Sequence, residues 1–208
     1  MSNIVGMVSF YQKEGVSKQE FLQAHEKYNS SFVSKQKGCM SHKLLVDGDK
    51  WTDLVTWENM EDVESTFKEV QTNPLAAEIM PFIDQIGNDD DIPFYSVAKN
   101  YSDKGQTTAS NAIWFISYKL TKKASVQEFL LASEKTHDEV LSKKEGFISW
   151  VVLVDDDIWV DLVTWDTMEN AIKAEKHDGK PDPVARKFYS FINPNSLKMQ
   201  SFTVVRNY

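Results

Sequence analysis

Residues 51–57 read WTDLVTW, and 108 positions further on residues 159–165 read WVDLVTW. Around these copies, residues 16–63 align with 124–171 without a gap, and 24 of 48 positions are identical, including the pattern SxQEFLxAxEK at Ser17–Lys27 and Ser125–Lys135. Chance does not produce such a match, so the chain of 208 residues is an internal duplication. That constrains the fold strongly, because a unit of about 100 residues is small for a core and has to find cover for any apolar face it cannot bury itself. The copies also end alike, KNY at 99–101 and RNY at 206–208, and the polar stretch NYSDKGQTTASN between them reads as a linker. The expected division is 1–102 as first repeat, 103–110 as linker and 111–208 as second repeat.

Each copy offers the same elements. IVGMVSFY at 4–11 is short, apolar and aromatic, and reads as a strand. Ser17 with Glu20, and Ser125 with Glu128, form the S-x-x-E capping box that opens a helix. Phe21, Leu22, His25, Asn29, Phe32 and Val33 share one face of that helix, and Gly38 and Gly146 are expected to stop it. A hairpin follows, HKLLV to WTDLVTW around DGD at 47–49 and WVVLV to WVDLVTW around DDD at 155–157. Second helices are expected over Met60–Val70 and from Met168 to about Glu175, shorter ones after Pro74 and Pro183, and last strands at 94–101 and 201–208.

The order is βαββαβ twice, an α+β fold of two tandem ferredoxin-like units, each an antiparallel sheet with both helices on one face. The third strand is apolar at both parities, Leu54 on one and Val55 and Trp57 on the other, so both faces ask for cover. The expected cover is the other sheet, the two facing each other as an intrachain α+β barrel with a pseudo-twofold axis.

Three features resemble the dimeric α+β barrel superfamily, in particular its antibiotic biosynthesis monooxygenase-like branch. They are the mid-helix His25, the pairs Gly38-Cys39 and Gly146-Phe147, and the strands that end in Trp before a helix, VTWENMEDV and VTWDTMENA. The resemblance covers both repeats, as a tandem single-chain form. It implies cofactor-independent oxygenases acting on polycyclic aromatic substrates, which carry an Asn and a Trp four apart on the third strand. Asp53 and Trp57, and Asp161 and Trp165, have that spacing, with Asp in place of Asn. The haem-degrading branch is a poorer match. Its first-strand asparagine, second-helix tryptophan and following histidine meet GMVSFY, Phe67, and the histidine-free AAEIMPF and VARKFYSF, while His177 falls in a loop by composition.

Asp53 and Asp161 are therefore expected as acid/base groups or polar anchors, with Trp57 and Trp165 as walls of an aromatic-lined site inside the barrel. A carboxylate in a central strand is costly unless paired, and two close together raise at least one pKa toward that of a general base. The structural alternative is that each aspartate accepts an indole or backbone N–H, or pairs with lysine. His25 matches Ser133, His137 matches Asn29 and His42 matches Trp150, so any role of theirs is confined to one half. On an apolar stripe, His25 and His137 read as satisfied buried imidazoles, or else as ligands or proton shuttles. Cys39, the single cysteine, matches Phe147 and reads as a small hydrophobe. The run Asp89, Asp90, Asp91 reads as a solvated loop.

Net charge is −8 and Arg186 and Arg206 are the only arginines, which argues against nucleic acid as partner, as does the absence of glycine and positive charge from WTDLVTW. No apolar run reaches the roughly 18 residues of a membrane span, and the opening lacks a charged leader. A cytoplasmic protein is expected, a monomer with an internal pseudo-twofold or a homodimer of such monomers. No cofactor or metal is implied, since the phosphate-cradling glycine loops and HExxH pattern are absent. The expected ligand is a small aromatic or apolar molecule, which needs a cavity on the order of 300 Å3. The alternative is a non-catalytic small-ligand-binding or stress-associated barrel whose tryptophans are core.

Overall fold

The computed structural model describes residues 2–84, 92–102, 110–176 and 182–208. Residues 103–109 of the expected linker, the run Asp89–Asp91, and His177 lie outside them. The first copy forms β1 (Ile4–Gln12), α1 (Lys18–Ser31), β2 (Cys39–Asp47), β3 (Lys50–Trp57), α2 (Met60–Val70), α3 (Pro74–Ala77), β4 (Ile83–Asp84) and β5 (Phe94–Ser102). The second forms β6 (Ala112–Lys119), α4 (Val126–Glu139), β7 (Phe147–Asp155), β8 (Ile158–Trp165), α5 (Met168–Glu175), α6 (Pro183–Tyr189) and β9 (Lys198–Asn207). The fold is mixed α+β. Among the described residues no helix is long and apolar enough to cross a membrane.

Two compact units result, Met1–Ser96 with Val204–Tyr208, and Val97–Thr203. The last strand of each copy thus begins in one unit and ends in the other. In the first unit β3 lies between β2 and β1, with Asp53 opposite Leu44 on one side and Val8 on the other, and Phe94–Ser96 add to β1. In the second, β8 lies between β7 and β6 in the same register, with Asp161 opposite Val152 and Ile116, and Lys198–Thr203 add to β6. Within the first unit the hydrogen-bond order is thus β2-β3-β1-β5, and within the second β7-β8-β6-β9.

Alternation along β3 puts Trp51, Asp53, Val55 and Trp57 on one face. That face is the helix-covered one, not the barrel interior expected for Asp53 and Trp57, because the Trp51 ring lies 4.7 Å from Phe21 of α1 and Val55 and Trp57 cluster with Val63 of α2. The twin face of β8 packs Trp159 against Phe129 of α4 and Trp165 near Ala171 of α5. Each side chain such as Phe21 or Phe129, fully buried here, contributes roughly 1.5–3 kcal/mol.

The helix starts follow their caps. Ser17 and Glu20 complete the reciprocal box, whereas Ser125 only accepts the Glu128 N–H, at 3.4 Å. The stops differ from expectation: α1 ends at Ser31 and a 3-10 turn over Val33–Lys35 follows, so Gly38 does not cap it. Gly38, at φ 74, instead turns the chain into β2, and a Cβ there would meet the Asp62 side chain. Gly146, at φ 77, does the same beside Asp166 and Asn170.

Candidate functional site

In the first unit the strand that carries Asp53 runs beneath α1, which places His25 over it, while β2 supplies His42 as a diagonal neighbour of Asp53 on the same face. Both imidazoles direct Nε2 at one carboxylate oxygen, Asp53 Oδ1, at 2.9 Å from His25 and 2.8 Å from His42. Their outer nitrogens are fixed as well. His25 Nδ1 is 2.7 Å from the Tyr208 hydroxyl and His42 Nδ1 is 2.9 Å from Asn29 Oδ1. Tyr208 is held there by its own N–H, which donates to the His42 carbonyl. Burial pulls the Asp53 carboxyl upward, but the charge and hydrogen bonds of His25 and His42 outweigh it and hold the group below the usual carboxylate range. His25, His42 and Asp53 together could hold a metal ion, since their donor atoms all lie within 4.8 Å of one another.

The second unit builds a different site from the same positions. Asp161 Oδ1 accepts from the Tyr118 hydroxyl at 2.8 Å and from the Trp150 Nε1–H at 2.9 Å. Ser133, where the first unit has His25, bonds the Tyr101 hydroxyl at 2.8 Å. No imidazole reaches Asp161 among the described residues, and burial pushes its carboxyl up to about 7, with the Tyr118 and Trp150 bonds offsetting only part. The cause is burial, where the sequence had suggested a second carboxylate. Burial, and then the Asp161 charge, hold Tyr118 well above the ordinary tyrosine range, so its hydroxyl stays a donor.

Each aspartate borders a cavity of its own unit. That of the first is about 140 Å3, with Asp53, His42, Val55, Trp57, Phe67 and Phe94 in its wall. That of the second is about 210 Å3, with Asp161, Trp114, Ile116, Trp150, Phe188 and Tyr189 in its wall and Lys144 and Glu175 beside them. Both are smaller than the 300 Å3 expected. Trp57 lines its cavity; Trp165 does not. Trp165 is fully buried in the core, against Trp114 and Phe147, with no partner for its indole N–H among the described residues.

Of the remaining residues, His137 stacks on Tyr101 with centroids 4.9 Å apart and bonds Asp138 at 2.8 Å, leaving its buried Nε2 without a partner among the described residues. Cys39 is half-buried and packs against Phe32 and Trp57. The convergence of His25 and His42 on Asp53 was not anticipated, nor was the Tyr118 hydroxyl as a donor to Asp161, whereas the Trp150 indole is the kind of donor the structural alternative named. The signal was present: among the described residues, every side chain that bonds Asp53 or Asp161 stands at a position where the repeats disagree, His25 against Ser133, His42 against Trp150 and Tyr118 against Phe10.

No family model and no curated protein matches the sequence. Solved structures do match along nearly the whole chain. An anthrone oxidase-like protein shares 14% identity and a TM-score of 0.63 over 100% of this chain and 93% of its own. A ferredoxin fold protein related to antibiotic biosynthesis monooxygenases, from Listeria monocytogenes, shares 8% and 0.56 over 99% and 95%. A heme-degrading enzyme from the same organism shares 10% and 0.53 over 96% and 98%. At such identities the likeness is one of fold, and the chain has the α+β fold of these ferredoxin-like, monooxygenase-related proteins.

Proposed function

We propose that the chain is a tandem α+β barrel enzyme that oxidises a small apolar or aromatic molecule without a redox cofactor, with Asp161 as its acid/base group. The observation that carries this is a buried carboxyl whose pKa is pushed up to about 7, set in the wall of a cavity lined by Trp114, Trp150 and Phe188. A base poised near neutrality suits removal of a proton from carbon or oxygen. Tyr118 and Trp150 occupy Oδ1, so Oδ2 is the oxygen that takes the proton. The resulting electron-rich anion reacts with dioxygen directly; an activated CH2 becomes C=O, and the second oxygen atom leaves as water. The names of the neighbours, an anthrone oxidase-like protein and relatives of monooxygenases, agree with that chemistry.

A cavity of about 210 Å3 favours a ligand of one or two rings over the polycyclic substrates the resemblance implied. The expected setting is the cytoplasm, and the expected partner is the small molecule alone. The test is oxygen uptake with a panel of one- and two-ring hydroxyaromatics. Uptake that Asp161→Asn abolishes supports the reading, and uptake indifferent to Asp161→Asn removes it. The small cavities and the buried Trp165 favour one other reading, a non-catalytic binder, which predicts saturable quenching of tryptophan fluorescence by the same compounds with no oxygen uptake.

A further inference from the structure

We infer that His25, His42 and Asp53 form a binding site for a divalent transition-metal ion, a site without a counterpart among the described residues of the second unit. The inference stands on the first unit alone and is independent of the role given to Asp161. Two imidazole nitrogens and one carboxylate oxygen are the donor set of mononuclear sites that keep further positions open. Three geometric facts support it here.

First, the donors are already gathered. His25 Nε2 and His42 Nε2 lie 2.9 and 2.8 Å from Asp53 Oδ1. Ligands bound at roughly 2.0–2.2 Å and set at right angles stand about 3 Å from each other, so an ion could enter with small adjustments. Second, the outer nitrogens have the partners that metal-bound imidazoles require. Asn29 Oδ1 can only accept from His42 Nδ1–H, and the Tyr208 oxygen is able to accept from His25 Nδ1–H, the tautomers in which the Nε2 lone pairs face the ion. On binding, any proton between an Nε2 atom and Asp53 Oδ1 is released to solvent, and the ion takes its place between nitrogen and oxygen. Third, His42 and Asp53 border the cavity of about 140 Å3, which supplies a route in and space for water or a small ligand at the open positions.

The chemistry of the donors selects the class of ion. Two nitrogens disfavour calcium and magnesium, which take oxygen ligands, and Cys39 is not in the group, so no thiolate selects soft ions. The duplication supplies an internal control. At the same positions the second unit has Ser133 and Trp150 beside Asp161, and an indole nitrogen is a donor only.

The experiment is a Co2+ titration of the full chain after chelator treatment, read by visible absorption and calorimetry. One ion per chain is expected. Asn29→Ala should weaken it about 10- to 100-fold by freeing the outer nitrogen of His42. Asp53→Asn should abolish it, and Ser133→Ala should leave it unchanged. Should Asp53→Asn fail to fold, imidazole 15N spectra of the unsubstituted protein during a Zn2+ titration decide the matter. The Nε2 resonances of His25 and His42 should shift, and those of His137 should not. Absence of binding at millimolar Co2+, or binding that leaves the His25 and His42 resonances in place, overturns the inference. Neither result bears on oxygen uptake at Asp161.

Discussion

Replacing Asp161 by asparagine should change how stability depends on pH, by an amount that follows from its burial. The carboxyl sits at about 7 in the fold and at about 3.9 in an unfolded chain. Below about pH 4 both states carry the proton, so the group contributes nothing. As pH rises through the unfolded value, the unfolded chain ionises while the fold does not, and stability falls by about 1.4 kcal/mol per unit. The loss stops near pH 7, once the folded carboxyl ionises too, after a total of about 4 kcal/mol. Asparagine keeps an acceptor for the Tyr118 hydroxyl and the Trp150 indole without ever ionising. Its amide nitrogen takes the place of Oδ2 at a fixed cost of about 1 kcal/mol that does not vary with pH. Urea denaturation of both proteins, followed by tryptophan fluorescence from about pH 4 to about pH 8, should show the difference between them growing by about 4 kcal/mol in favour of the variant. Parallel curves would refute the claim that burial holds Asp161 neutral.

Asp53→Ala should act in the opposite sense. It leaves two buried imidazoles without their acceptor, at a cost of about 3–5 kcal/mol in denaturant melts at neutral pH. Because the Asp53 carboxyl is held below its unfolded value, the stability it contributes is present above about pH 4 and is lost as pH falls through the folded value; the variant should lack that acid limb. Tyr118→Phe removes one donor to the Asp161 carboxylate, so carboxyl 13C NMR should place its titration above about 7. Gly38→Ala has to adopt φ 74 and push the Asp62 side chain aside, and should cost more than about 1 kcal/mol in a thermal melt.

The repeat made much of the fold legible. Two copies of one helical stripe, one hairpin and one Trp-ended strand left little freedom in the order of elements. The facing of Asp53 was not legible, because β3 is buried on both sides and alternation alone cannot say which side is which; Trp51 against Phe21 and Val55 against Val63 decide it. Nor was the passage of β5 and β9 from one unit to the other, since KNY and RNY end the two copies alike. The site was half legible. The aspartates stood out as carboxylates among tryptophans, but their partners come from a helix for His25 and from neighbouring strands for His42, Tyr118 and Trp150. The registers of β2 on β3 and of β6 and β7 on β8 bring the strand partners within reach. Trp165 shows the limit of spacing as a guide: it has the same four-residue offset from its aspartate as Trp57, yet Trp114 and Phe147 close over it.

The two copies of one aspartate have been driven apart, Asp53 held ionised by two histidines and Asp161 pushed up to about 7 by burial. Residue-assigned carboxyl 13C titration of the unsubstituted protein tests that divergence directly. Asp161 should titrate at about 7, while Asp53 stays ionised below the ordinary carboxylate value. Midpoints for both near about 4 would contradict it.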